Sequence, residues 1–196
     1  MRFLAILAAL GVPAIGVTLF LWGQPLICTC GEVKLWVNSV FDEGNSQHIA
    51  DWYTLSHIVH GLLIALIGRA LGLRATTLFA LAIVTGVAWE IIEHTDWVLE
   101  KFRATTINQG YVGDSVLNAV CDYLFMLAGF VVALRVRKRW IVAAILALEV
   151  VATVVARDSL TLTTLMLVWP VEAIDDWQQE LNPHRDEALS EPATTG

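Results

Sequence analysis

Three short stretches carry side chains able to do chemistry within an otherwise apolar chain. The first, Asp51-Trp-Tyr-Thr-Leu-Ser-His57-Ile-Val-His60-Gly61, offers a carboxylate and two imidazoles. The second, Trp89-Glu90-Ile-Ile-Glu93-His94, offers a carboxylate pair, and the third, Gly113-Asp114-Ser115-Val-Leu-Asn118-Ala-Val-Cys-Asp122, two more acids and an amide. His57 and His60 stand at i, i+3, as do Glu90 and Glu93, while Asp114, Asn118 and Asp122 stand at i, i+4 and i+8. On helices each set lies along one face. Facing stripes of carboxylate and imidazole are how helical bundles assemble metal sites. Two imidazoles with several carboxylates suit zinc, manganese or ferrous iron better than a thiol-seeking metal. A coordination position left open to water would supply a nucleophile near neutral pH. Without a metal, His57, His60, Glu90, Glu93, Asp114 and Asp122 would exchange protons or form a buried polar network. Asp114 after Gly113 also has the form of a helix cap, with Ser115 in the first turn.

The elements that position these groups are membrane spans. Of the 196 residues 57% are hydrophobic and 16% charged, too apolar for an ordinary soluble domain. A helix needs roughly 20 apolar residues to cross a bilayer. Five segments meet or approach that, at 3–22, 52–71, 76–95, 116–134 and 140–156. The fold class is therefore all-α, a polytopic bundle of about five transmembrane helices. A short helix over 159–174, with Pro170 inside it, is expected to lie in the interface or re-enter, a sixth tilted span being the alternative. Residues 1–174 form one domain, and 175–196 an acidic, largely disordered tail. The first segment is longer than a usual signal-peptide core and no small-x-small site follows it, so it reads as a retained span. The net charge of −7 argues against a nucleic-acid partner, which would want a basic stripe.

Lys and Arg set the orientation. Arg69, Arg74 and the dense Arg135, Arg137, Lys138 and Arg139 fall in one set of loops, against Lys34, Lys101 and Arg103 in the other. The N-terminus is thus expected in the cytoplasm, with the loops at 23–50 and 96–112 outside. All three polar stretches then occupy one leaflet, mostly within roughly 15 Å of the outer boundary at 1.5 Å rise per residue. That shared depth depends only on the alternation of spans. Arg103 and Arg157 would present bidentate donors to an anionic headgroup, with Ser115 and Asn118 as further substrate contacts. Glu149, mid-way along the fifth span, would join the site or a proton path. Cys28-Thr-Cys30-Gly31 has no second thiol pair to complete a four-ligand cage. Its cysteines are too close in sequence for an easy bridge and read as two unpaired thiols in an interfacial turn. No phosphate-binding Gly loop, nucleophile elbow or H-E-x-x-H is present.

In Asn45-Ser-Gln-His48-x-x-Asp51-Trp-Tyr-Thr-x-Ser-His57, Trp89-Glu90-x-x-Glu93, Tyr111-x-Gly113-Asp114-Ser115-x-x-Asn118-x-x-x-Asp122 and Arg157-Asp158-x-Leu-Thr-Leu, the chain closely resembles an uncharacterised UPF/DUF family of bacterial multi-pass membrane proteins. The resemblance covers most of the chain, implies an inner-membrane location and brings no reaction with it. His94, Ala119 and Ser159 depart from the Asn, Ser and Asn expected of that family, which sets His94 apart from a family-wide site. More distantly, the His on one span, the acids on the next and the polar head of another are similar to VanZ-like membrane proteins. That likeness implies the cell envelope. The expected function is an enzyme of the outer leaflet acting on a lipid headgroup or lipid-linked envelope precursor, with a divalent metal if the cluster holds one. The alternatives are a non-enzymatic binder or carrier of lipid, metal ion or protons, and a purely structural network.

Overall fold

The computed structural model describes residues 2–183 and Arg185. They form eight helices: α1 (Arg2–Leu21), α2 (Trp52–Ala70), α3 (Ala75–Glu93), α4 (Asp96–Thr105), α5 (Val116–Arg135), α6 (Lys138–Ala156), α7 (Leu160–Val168) and α8 (Glu172–Gln179). No strand occurs among the described residues. Five helices, α1, α2, α3, α5 and α6, are long and apolar enough to cross a membrane, and the chain is a polytopic membrane helix bundle. Its surface is inverted relative to a soluble protein. Phe3, Leu10 and Phe20 of α1 and Leu146, Val150 and Val154 of α6 face outward, while Asp51, Glu90, Asn118 and Asp122 are buried.

The helices start where the sequence supplies caps. Asp51 caps α2 by accepting from the Tyr53 amide at 2.8 Å, and the Thr54 hydroxyl accepts from the Asp51 amide at 3.1 Å. Ser115 caps α5 through the Asn118 amide, and Ser159 caps α7 through that of Leu162. α6 stops at Arg157, whose φ of 53° lies in the left-handed region.

α2 and α5 form the central pair. They approach so closely that a Cβ on Gly61 would collide with the backbone of Met126 and Phe130, and one on Gly129 would stand 2.6 Å from the Ile58 carbonyl oxygen. α6 flanks α2, and α1 packs on α3 and α5. A core of Leu62, Ala65, Leu78, Ala82, Phe130 and Ile141 fills the end away from the polar stretches. Over the other end lie α4, α7, α8 and the long connection between α1 and α2.

Two connections differ from their expected form. The stretch at 96–112 contains a helix, α4, because Val98, Leu99 and Phe102 line one side of it and pack with Tyr111, Trp89 and Leu167. The stretch at 159–174 is two helices, since Pro170 cannot continue α7. α8 carries the chain in helical form into the first residues of the acidic tail. The disordered character expected of its end falls mostly on 184 and 186–196, outside the described residues.

Candidate functional site

The site forms where the N-termini of α2 and α5 meet the C-terminus of α3. Ser46, in the connection before α2, adopts φ 61°, which turns its amide onto Asp51 Oδ2 at 2.8 Å. The Thr54 hydroxyl, accepting from the Asp51 amide, donates to Asp122 Oδ1 at 2.9 Å. A continuous chain of hydrogen bonds thereby joins the cap of α2 to the second turn of α5. His57, one turn further along α2, bridges two acids. Its Nδ1 lies 3.4 Å from Glu90 Oε1 and its Nε2 3.9 Å from Asp122 Oδ2.

The acids themselves converge. One carboxylate oxygen from each of Glu90, Glu93 and Asp114 lies within 4.8 Å of the other two. These residues are 1%, 8% and 4% exposed, and neither Glu90 Oε2 nor Glu93 Oε2 has a hydrogen-bond partner. Among the described residues no Lys or Arg forms an ion pair with them. A buried polar atom left without a partner costs about 1–3 kcal/mol, more when charged. The arrangement is therefore incomplete as a protein-only network.

Asp114 is held from two sides. The Tyr111 hydroxyl donates to its Oδ1 at 2.8 Å, and its own amide donates to His94 Nε2 at 2.9 Å. His94 Nδ1 lies 2.6 Å from the Glu90 carbonyl oxygen, which can only accept, so the ring carries its proton there. With Nε2 taken by the Asp114 amide, His94 braces α3 against α5 and has no lone pair to offer a ligand. Burial pushes Asp51 up to about 6, against the Ser46, Tyr53 and Thr54 hydrogen bonds that favour its ionised form. Burial likewise raises Asp114, opposed by the Tyr111 and Ser46 hydrogen bonds. Burial raises Tyr111 well above its usual range, with the Asp114 and Glu93 charges adding to it. It stays a donor.

Two cavities share His57 as a wall. One of about 20 Å³, bounded by Tyr53, His57, Glu93, Tyr111, Asp114 and Asp122, has room for a single ion or water. The other, about 220 Å³, lies between α2 and α3 and is bounded by His57, His60, Ile64, Trp89, Glu90 and Met126. Both are lined mainly by apolar surface, the first with the larger polar share.

The family model described as "Protein of unknown function (DUF2585)" matches residues 19–180. The chain belongs to this family. It is 47% identical over 164 residues to a UPF0314 protein of Paracoccus denitrificans (strain Pd 1222), covering 82% of this chain and 85% of that protein. It is 46% identical over 176 residues to UPF0314 protein R03235 of Rhizobium meliloti (strain 1021), covering 88% and 89%. To a UPF0314 protein of Brucella anthropi it is 41% identical over 180 residues, covering 91% and 90%. No solved structure matches.

Within this DUF2585 chain, the expected site residues separate into three groups. His57, Glu90, Glu93, Asp114 and Asp122 come together. His60 stands apart, its ring 5.9 Å from that of His57 and 5.7 Å from that of Trp89, facing the larger cavity. The remaining residues make hydrogen bonds within the protein. Ser115 Oγ donates to the Gln47 carbonyl at 3.0 Å, and Asn118 Nδ2 to the His48 carbonyl at 2.8 Å, stitching the connection before α2 onto α5. Arg103 is exposed and donates to the Tyr111 carbonyl at 3.1 Å. Arg157 donates to the Trp177 carbonyl and to Glu180 Oε2 (2.7 Å) and lies over the Trp177 ring. Glu149 accepts from the Thr161 amide at 2.9 Å, ahead of α7. The spacing argument missed Thr54, Ser46 and Tyr111, and took Asp51 only as the carboxylate of the first stretch. All four sit inside the quoted motifs, where hydroxyl residues beside acids were the available signal.

Proposed function

We propose that the cluster of Glu90, Glu93 and Asp114, with His57 and Asp122 beside it, binds a divalent cation and acts on the headgroup of a membrane lipid or lipid-linked envelope precursor. The observation that carries this reading is the pair of unpartnered, buried glutamate oxygens facing a third acid beside a cavity of ion size. Three oxygen donors suit a hard cation, so magnesium and manganese lead, with zinc and ferrous iron drawing on His57 as a nitrogen donor. Bound there, a cation would supply Lewis acidity toward a phosphoryl or glycosidic oxygen. The chain's own groups divide the remaining tasks. Asp122, fixed by Thr54, orients His57, and His57 is placed to take a proton from water or return one to a leaving group. Tyr111 holds Asp114 in place and keeps its own proton.

The cavity between α2 and α3 supports a lipid rather than a soluble substrate. Its largely apolar lining meets the polar cluster at His57 and Glu90, so a chain can stay among hydrocarbon while its headgroup reaches the acids. We place the N-terminus in the cytoplasm and the site in the outer leaflet of the bacterial inner membrane, on the strength of the basic run from Arg135 to Arg139 between α5 and α6.

Elemental analysis of the detergent-purified protein, after incubation with manganese, magnesium or zinc, tests the reading. Near-stoichiometric metal in the wild type, lost in Glu93→Gln and Asp114→Asn without loss of helicity, is the expected result. Wild type that stays metal-free after these incubations overturns it. Release of a water-soluble headgroup from phosphate- or sugar-linked lipids then separates turnover from binding. Binding without turnover is the second reading, favoured by the small size of the inner cavity, which does not admit a headgroup without movement of Tyr53 or Tyr111.

A further inference from the structure

The connection between α1 and α2 holds a second group of ligand-type side chains, separate from the carboxylate cluster. Cys28 and Cys30 form a disulfide, their Cα atoms 5.2 Å apart, so they are not the unpaired thiols their spacing led us to expect. A tight turn makes the pairing accessible. Gly31, at φ 79°, closes it by donating its amide to the Cys28 carbonyl at 3.0 Å. His48, from the other end of the same connection, brings one ring nitrogen within 4.8 Å of both sulfur atoms. The ring is 1% exposed, and its Nε2 has no hydrogen-bond partner. The Lys34 amide donates to Nδ1 at 3.2 Å. Cys28 is buried and Cys30 exposed, so the group is protein on one side and open on the other.

We propose that Cys28, Cys30 and His48 are a redox-gated metal site, binding a soft d10 cation, Zn2+ or Cu+, when the disulfide is reduced and releasing it when a disulfide oxidant takes the two electrons back by exchange and becomes a dithiol. Opening the bond takes two electrons and two protons from a dithiol reductant, which itself becomes a disulfide. The two thiols then release their protons to solvent as the cation takes their place on sulfur. Two thiolates and an imidazole supply three ligands and leave a fourth position, on the exposed Cys30 side, for water. In tetrahedral zinc, with bonds near 2.3 Å, the sulfurs sit roughly 3.8 Å apart, a separation reached by side-chain rotation alone. The Cys30 amide already points at Cys28 Sγ at 3.2 Å, a donor that stabilises the thiolate. Soft ligands also set this site apart from the oxygen donors of the carboxylate cluster, so the two select different metals.

Zinc binding by the full-length protein in detergent, oxidised and after phosphine reduction, tests the proposal. The reduced protein is expected to bind one equivalent more than the oxidised. That difference should vanish in Cys28→Ser and Cys30→Ser, weaken at least about tenfold in His48→Gln, and persist in Glu93→Gln. In the reduced wild type, zinc should also shield Cys28 and Cys30, and not Cys121, from maleimide alkylation, a readout that needs no variant. Cuprous ion replaces zinc as the probe in a parallel arm, and the same pattern with copper alone assigns the site to Cu+. Equal binding of both ions by oxidised and reduced protein, or thiols that neither ion protects, overturns the proposal.

Discussion

Thr54 is the side chain on which two functions of the α2 terminus meet. Its hydroxyl completes the cap of the helix and also fixes Asp122. Thr54→Val keeps the shape and removes both bonds, and is expected to cost about 1–2 kcal/mol. Thermal unfolding in detergent checks this, and a cycle with Asp122→Asn isolates the share that belongs to the pair. Asp158 makes a prediction of a different kind. It lies outside the spans, buried, accepting from the Ser159 amide and the Thr163 hydroxyl at 2.9 Å each, with Gln178, the Tyr53 hydroxyl and Glu149 nearby. Burial pushes it up to about 6 from 3.8, so the folded protein holds this proton more tightly than the unfolded chain. The stability it contributes is full below about pH 4, falls as pH rises through 6, and is then flat. The span of that change is about 3 kcal/mol at 1.36 kcal/mol per unit. Melting curves from pH 4 to 8 should show this fall, and Asp158→Asn should remove its share, leaving the parts contributed by groups such as Asp51 and Asp114.

Among the elements, the crossing of α2 and α5 is the least tolerant. Gly61→Ala would drive a methyl into the backbone of the partner helix, which cannot rotate away, so the loss should reach or exceed the upper end of the about 1–3 kcal/mol typical of overpacking. Gly16→Ala is the control. Its Cβ would stand 3.4 Å from Val116 Cγ1, ordinary contact, and alanine is the better helix former. Retention of the monodisperse folded peak on gel filtration after heating distinguishes the two. These helices were legible in the sequence because lipid permits only long apolar segments, and each expected span lies within about two residues of its helix. α4 was not legible. Ten residues of mixed polarity carry a weak local signal, and what makes them helical is the apolar bed of Tyr111, Trp89 and Leu167. The site was legible in the same uneven way. The i, i+3 spacing put His57 and His60 on one face but says nothing of how wide the facing helices stand. The gap between α2 and α3 is what leaves His60 beside a cavity while His57 touches two acids. The Cys28–Cys30 pairing was hidden because spacing in sequence does not report the turn at Gly31.

At the scale of the whole molecule, the polar groups gather toward one end of a bundle whose flanks are hydrocarbon-like. If that end faces outward as proposed, Lys34→Cys should react with an impermeant maleimide on intact cells, and Arg137→Cys only after permeabilisation. The reverse pattern would invert the orientation while leaving the site intact. The bundle is also drawn together across long distances in the chain. The first amides of α5, at Val116 and Leu117, donate to the carbonyls of Pro25 and Leu26, and Ser115 donates its amide to Ser46. Glu90 and Glu93 likewise find Asp114 only across the α3–α5 boundary. During synthesis, therefore, α2 and α3 enter the bilayer before the groups that balance their acids and imidazoles exist. For an interval on the order of seconds, these half-made helices depend on water or the insertion machinery for their polar partners. The arrival of α5 brings Asp122 to Thr54 and His57, and this step is where a variant of Asp114, Asn118 or Asp122 would first meet quality control.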